Sequence, residues 1–145
     1  MSDPLSSALR QLPHGPEFRF VDRLLALEPG KSGTGQYTIR GGESFLRGHF
    51  PGQPVFPGVL LVEAAAQLAG VVAQSDPQIP PMPGLKLTAL RGVKILGAAK
   101  PGDVLQLEAR ITGRLANLVQ AAATVSVNGK LVMQAELTLS GEGTD

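Results

Sequence analysis

The sequence predicts an α+β domain in which one curved antiparallel sheet of five to seven strands wraps a single long central helix, about residues 57–73. Three observations predict it. Residues 104–139 alternate apolar and polar side chains in successive runs, the period-two signature of half-buried strands. Asn128-Gly129 lies between two of those runs, the pair best suited to a tight hairpin. Residues 57–73, PGVLLVEAAAQLAGVVA, break the alternation: they are rich in Leu and Ala, and only Glu63 and Gln67 are polar. A helix apolar nearly all round is a buried one.

Taken in order, Leu5–Leu12 has the composition of a short helix. Phe18–Glu28 and Gly33–Arg40 flank EPGK (Glu28–Lys31) as an antiparallel pair, with Pro and Gly in the central positions of a type II turn. After the central helix, the Pro-rich stretch PQIPPMPG (Pro77–Gly84) is a loop. Leu85–Ala98 is expected as a long strand bent near Gly92 or Gly97, where a missing side chain permits a bulge. KPGD (Lys100–Asp103) is a second tight turn. It opens a strand with Leu105, Leu107, Ala109 and Ile111 on one face. A break near Ala116 and Asn117 leads to Val119, Ala121, Ala123, Val125 and Val127, and beyond Asn-Gly to Leu131, Met133, Ala135, Leu137 and Leu139. The last residues, 141–145, are expected to fray.

The 145 residues suit one domain, 1–145, large enough to bury a core without a staple. Cysteine is absent, which excludes disulfides, zinc-thiolate sites and a thiol nucleophile. Thirteen basic against twelve acidic residues, with no dense cationic cluster, argue against nucleic acid as a partner. No apolar stretch reaches the roughly 20 residues of a membrane span. MSDPLSSALRQLP lacks a basic segment followed by an apolar one. A soluble cytoplasmic protein is the expectation.

The chemistry concentrates in GHFPGQPVFPGVLLVE (Gly48–Glu63). Between Gly48 and Leu85 the only charged residues are Glu63 and Asp76, so Glu63 stands in oily surroundings. Removing a carboxylate from water disfavours its charged form, and a carboxyl kept neutral can give a proton. Gln67, one turn on, shares its face and could orient it. Taken alone, a glutamate on a core helix is more often just a carboxylate hydrogen-bonded to backbone or to an arginine, and His49 a loop histidine satisfied by backbone; the pair shifts the balance toward chemistry. Gly58 lies in the first helical turn, where backbone N–H groups lack intrahelical partners and the helix dipole is positive. Its N–H could hold negative charge growing on a carbonyl oxygen, although close helix packing would also call for glycine. A base, an acid and an oxyanion donor together suit removal of a proton beside a carbonyl.

Gly48–Gly70, GHFPGQPVFPGVLLVEAAAQLAG, resembles the signature of the β-hydroxyacyl-acyl-carrier-protein dehydratases, which have the hotdog fold. LPH (Leu12–His14), FVDR (Phe20–Arg23) and the two Pro-Gly turns also look like that family, so the likeness spans about residues 12–140. The resemblance implies that His49 and Glu63 are catalytic, that Gly58 donates to the thioester carbonyl, and that Gln67 sits beside the acid. Phe50 and Phe56 are expected beside the acyl chain. It further implies no metal or redox cofactor, a substrate carried on the phosphopantetheine of an acyl carrier protein, and homodimers whose sites draw His and Glu from opposite subunits, assembled in some members as trimers of dimers. Glu63, where isomerising relatives have Asp, points to plain dehydration in fatty-acid or related synthesis. Pro16 and Glu17 replace a Tyr-Pro pair at the expected tunnel mouth, and Leu96 and Gly97 replace basic residues expected in carrier docking. A hotdog thioesterase and a non-catalytic acyl-binding protein are the competing readings.

Overall fold

The computed structural model describes residues 3–142. In chain order it contains α1 (Pro4–Arg10), β1 (Arg23–Glu28), β2 (Ser32–Thr38), α2 (Gly58–Ala73), β3 (Lys86–Ile95), β4 (Val104–Leu115), β5 (Leu118–Val127) and β6 (Lys130–Ser140), with 3-10 turns at Pro16–Phe18 and Ser44–Arg47. The six strands form one antiparallel sheet in the order β1-β2-β4-β5-β6-β3, so β1 and β3 are its edges. Among the described residues no helix is long and apolar enough to cross a membrane.

The alternation of β4 and β5 works as read: Leu105, Leu107, Ala109, Val119, Ala121, Ala123 and Val125 are all buried. They meet α2, whose residues from Leu61 to Ala73 are buried except Glu63 and Gly70. Asn128 and Gly129 both take positive φ, 52° and 78°, as a two-residue hairpin with matching twist requires. One face assignment changes. A register shift at Val125/Ser126 pairs Ser126 with Leu131 and Val125 with Met133, so Val132 is the extra residue; it is buried, and Leu131 is only half-buried.

Four boundaries differ for identifiable reasons. The first helix stops at Arg10 and begins with Asp3 accepting from Leu5 N–H as its cap. The expected strand from Phe18 starts only at Arg23, because the Phe18 carbonyl and the Phe20 N–H are taken by the Gln67 side chain at 2.8 and 2.7 Å rather than by a neighbouring strand. The second strand ends at Thr38, since the Arg40 and Gly41 N–H groups turn to the Glu43 carboxylate. α2 begins at Gly58, with Pro57 as its capping residue in extended conformation.

β3 is bent as expected at Gly92, which has φ 60° within a register shift between Arg91 and Lys94. It ends at Ile95, short of Ala98. At the described part of the chain end, Gly141 exchanges hydrogen bonds with Asn117 at 2.9 and 2.7 Å, and Glu142 N–H reaches Pro83 O at 2.8 Å. Residues 143–145 of the expected tail lie outside the described residues.

Candidate functional site

Glu63 lies in the second turn of α2 with its side chain 22 % exposed, at one end of a cavity of about 740 Å³. The cavity follows the helix face that carries Glu63, Ala66, Gly70, Val71 and Gln74, and Leu87 and Leu139 form part of its opposite wall. These helical positions recur at three- and four-residue steps, so they stack on one side of the helix. A carboxyl thus opens onto a slot that is otherwise mainly apolar. A wider depression of about 960 Å³ crosses the sheet beside Arg91, Glu108, Arg110 and Glu136; none of the sequence-predicted site residues lines it.

Gln67 is buried, and its amide ties Phe18 and Phe20 to the helix. Its contact to Glu63 Oε1 is long, 3.5 Å, so its principal work is to hold that segment. The segment in turn positions a residue the sequence reading passed over. His14 Nε2 lies 3.5 Å from Glu63 Oε1, and the ring stacks on Phe18 with centroids 6.3 Å apart. Arg19 holds the turn by donating to the carbonyls of Leu12 and His14 at 3.1 and 3.2 Å. His14 Nδ1 is buried without a hydrogen-bond partner. LPH was visible as a motif, but nothing in the sequence links it to a glutamate 49 positions away.

His49 occupies a separate place. Its Nδ1 is 2.8 Å from Val55 O. A carbonyl oxygen only accepts, so Nδ1 carries the hydrogen and, in the neutral ring, Nε2 keeps its lone pair. Val55 N–H returns to His49 O at 2.7 Å, and Phe50 and Gln53 exchange backbone hydrogen bonds, which closes the loop into a compact turn. The His49–Phe50 peptide is cis. Phe50 stacks on the imidazole at 4.2 Å and is 55 % exposed. Within one chain His49 does not line the Glu63 cavity.

The loop is rooted at both ends. At its start Glu43 accepts from the Tyr37 hydroxyl at 2.7 Å and from two backbone N–H groups. Burial alone would push the Glu43 carboxyl up, but the Tyr37 and backbone hydrogen bonds outweigh it and hold the group below the usual carboxylate range. Burial, and then the Glu43 carboxylate, push the Tyr37 hydroxyl well up. At the loop's end Phe56 is 1 % exposed and packs edge-on against Phe20 and Phe45 at 5.8 and 5.7 Å. Phe56 is therefore a core residue: with its ring enclosed by other rings, it does not line the slot as expected. Gly58 makes room for a neighbour, since a Cβ there would lie 2.8 Å from Ile95 Cδ1, and its helix start has no side-chain cap.

A family model described as FabA-like domain matches residues 12–136. A protein of Roseiflexus sp. (strain RS-1), named 3-hydroxyacyl-[acyl-carrier-protein] dehydratase FabZ, is 38% identical over 91% of this chain and 93% of its own length. A protein of the same name from Syntrophotalea carbinolica is 39% identical over 89% of this chain and 88% of its own. Among solved structures, the dehydratase heterocomplex ApeI:P from Xenorhabdus doucetiae superposes with a TM-score of 0.78 at 17% identity, covering 94% of this chain and 91% of that one. Zebra fish thioesterase superfamily member 2 superposes with a TM-score of 0.70 at 15% identity, covering 94% of each chain. At such identities the structural likeness establishes the shared hotdog fold and not the reaction.

Proposed function

The chain belongs to the FabA-like family, and from that premise we propose that it dehydrates (3R)-3-hydroxyacyl thioesters to trans-2-enoyl thioesters in fatty-acid synthesis, on substrates carried by an acyl carrier protein. His49 Nε2 takes the proton from C2. The electron pair of that C–H bond forms the C2–C3 double bond as the C3–O bond breaks. Glu63, in its protonated form, gives a proton to the departing hydroxyl, which leaves as water. The Gly58 N–H, at the positive end of α2, faces the charge that grows on the thioester oxygen. His49 returns the abstracted proton through solvent and Glu63 is reprotonated, so no other reactant is consumed.

The observation that carries this reading is the cavity: a carboxyl at one end and a long, mainly apolar slot behind it suit an acyl chain whose C3 lies beside Glu63. In this proposal the base comes from a second copy of the chain. His49 does not reach the slot of its own chain, and the surface between them is unfinished. β3 is an edge strand ten residues long, and Leu90, Val93, Ile95 and Leu96 on and just beyond it are exposed, as is Val59 at the helix start. Exposed apolar edges of this length invite pairing. Edge-to-edge pairing of two β3 strands would cover them and bring each His49 loop toward the partner's helix.

The test is turnover of a 3-hydroxyacyl thioester, read by enoyl-thioester absorbance. His49→Ala and Glu63→Gln are each expected to lose on the order of a hundredfold or more while remaining folded. Near-full turnover in either variant, or release of free thiol in place of enoyl product, contradicts the assignment.

A further inference from the structure

We infer that the hydrogen-bonded pair Gln74–Met82 is the far stop of the acyl slot and sets the longest chain this protein processes. The inference rests on the dehydratase reading of the slot and goes on to its substrate length.

Gln74 is the residue at which α2 ends, and its side-chain amide makes two bonds to the backbone of Met82: Nε2 donates to Met82 O at 2.7 Å, and Met82 N–H donates to Oε1 at 2.9 Å. A two-way amide bond of this kind fixes both partners. It pins the Pro-rich loop across the end of the slot, and both residues line it. The neighbouring Pro83 is held from the other side by Glu142 N–H at 2.8 Å. Met82 also sits tightly on Gly141, where a Cβ would come within 2.9 Å of Met82 Cβ, so the loop cannot retreat far toward β6.

Between the acid and the stop the helix face is open. A Cβ added at Gly70 would meet nothing within 4 Å, and Ala66 before it is also small. Glu63 and Gln74 are eleven positions apart, about 16 Å at a rise of roughly 1.5 Å per residue. With carbon–carbon bonds of about 1.5 Å, an extended chain advances roughly 1.3 Å per carbon. Counted from C3 beside Glu63, the slot therefore takes on the order of twelve further carbons, an acyl chain of about fifteen in all, and a longer chain meets Gln74 and Met82.

The experiment compares wild type with Met82→Ala, Gln74→Leu and Gly70→Leu on 3-hydroxyacyl carrier-protein substrates of 4, 8, 12 and 16 carbons, following enoyl products by mass. Wild type is expected to lose at least tenfold in kcat/KM between 12 and 16 carbons. Met82→Ala, which shortens the stop, and Gln74→Leu, which keeps its bulk but frees the loop, should each raise the ratio of 16- to 8-carbon turnover at least fivefold. Gly70→Leu fills open space without a clash and should move the cut-off down, to about 11 carbons and so between the 8- and 12-carbon substrates, since Gly70 is seven positions from Glu63 and C3 lies beside Glu63. Equal wild-type turnover at 8 and 16 carbons overturns the inference. So does a cut-off that moves in Gly70→Leu but in neither Met82→Ala nor Gln74→Leu, which would leave the slot in place without this stop. A folded wild type that forms no enoyl product at any length overturns the dehydratase reading and the inference with it.

Discussion

The two flanks of α2 are finished to different degrees. On the side of β4, β5 and β6 most inward residues are buried under the helix, and Leu61, Leu68, Leu105, Leu107 and Leu137 are all at most 1 % exposed. On the side of β3 and the helix start, Val59 is 72 % exposed, Leu96 52 % and Phe50 55 %. The same chain that packs one flank closely leaves large apolar side chains in water on the other, where an unpaired strand edge also lies. Scattered exposed apolar residues need no explanation, but a set gathered around an edge strand and a proposed catalytic loop does. The closed flank gives the domain its stability. The open flank is where the proposed site acquires its base.

The largest stability effect should come from the closed flank. Leu68→Ala removes a fully buried side chain from α2 and is expected to cost about 2–5 kcal/mol, read as a shifted urea midpoint. The root of the His49 loop should respond less and with a definite pH dependence. The folded-state pKa of Glu43 lies below its ordinary value, so its contribution is complete above that value and declines as pH falls through the folded one. Wild type should therefore lose stability on acidification below about pH 4 to 5. Glu43→Gln, which loses the charge that draws the Tyr37 hydroxyl and two N–H groups, should cost roughly 1–3 kcal/mol at pH 7 and flatten that part of the profile. The smallest stability effect belongs to the open flank. Leu96→Ser should change the unfolding free energy of a monomer by no more than about 0.5 kcal/mol, yet shift the population from dimer to monomer in light scattering. A large loss of monomer stability in Leu96→Ser would erase the contrast between the flanks.

The contrast also explains which parts were legible in the sequence. β4, β5 and β6 each have one face on α2, and a period-two pattern is the direct imprint of a one-sided core. α2 was legible because a nearly all-apolar segment with a carboxyl has few other uses. β1 was misplaced because Phe18 and Phe20 give their backbone groups to Gln67, a partner 47 to 49 positions away that no local pattern reveals. The same holds for His14 beside Glu63 and for Gln74 with Met82, contacts made across loops. Neither Phe50 nor Phe56 lines the cavity of its own chain: an apolar residue next to a catalytic motif looks the same in sequence whether it faces a slot or, like Phe56, packs in a core. The resemblance named His49 and Glu63, whereas the geometry adds the tautomer of one and the cavity of the other.

The central claim, that each site joins His49 of one copy to Glu63 of another, is tested most directly by mixing two inactive variants. His49→Ala and Glu63→Gln proteins are combined in equal amounts, dissociated in mild denaturant and reassembled. A mixed dimer then holds one site with both native groups, and random pairing predicts recovery of about a quarter of wild-type enoyl formation. Activity that stays at the level of the separate variants, with mixed dimers demonstrated by mass, contradicts the claim.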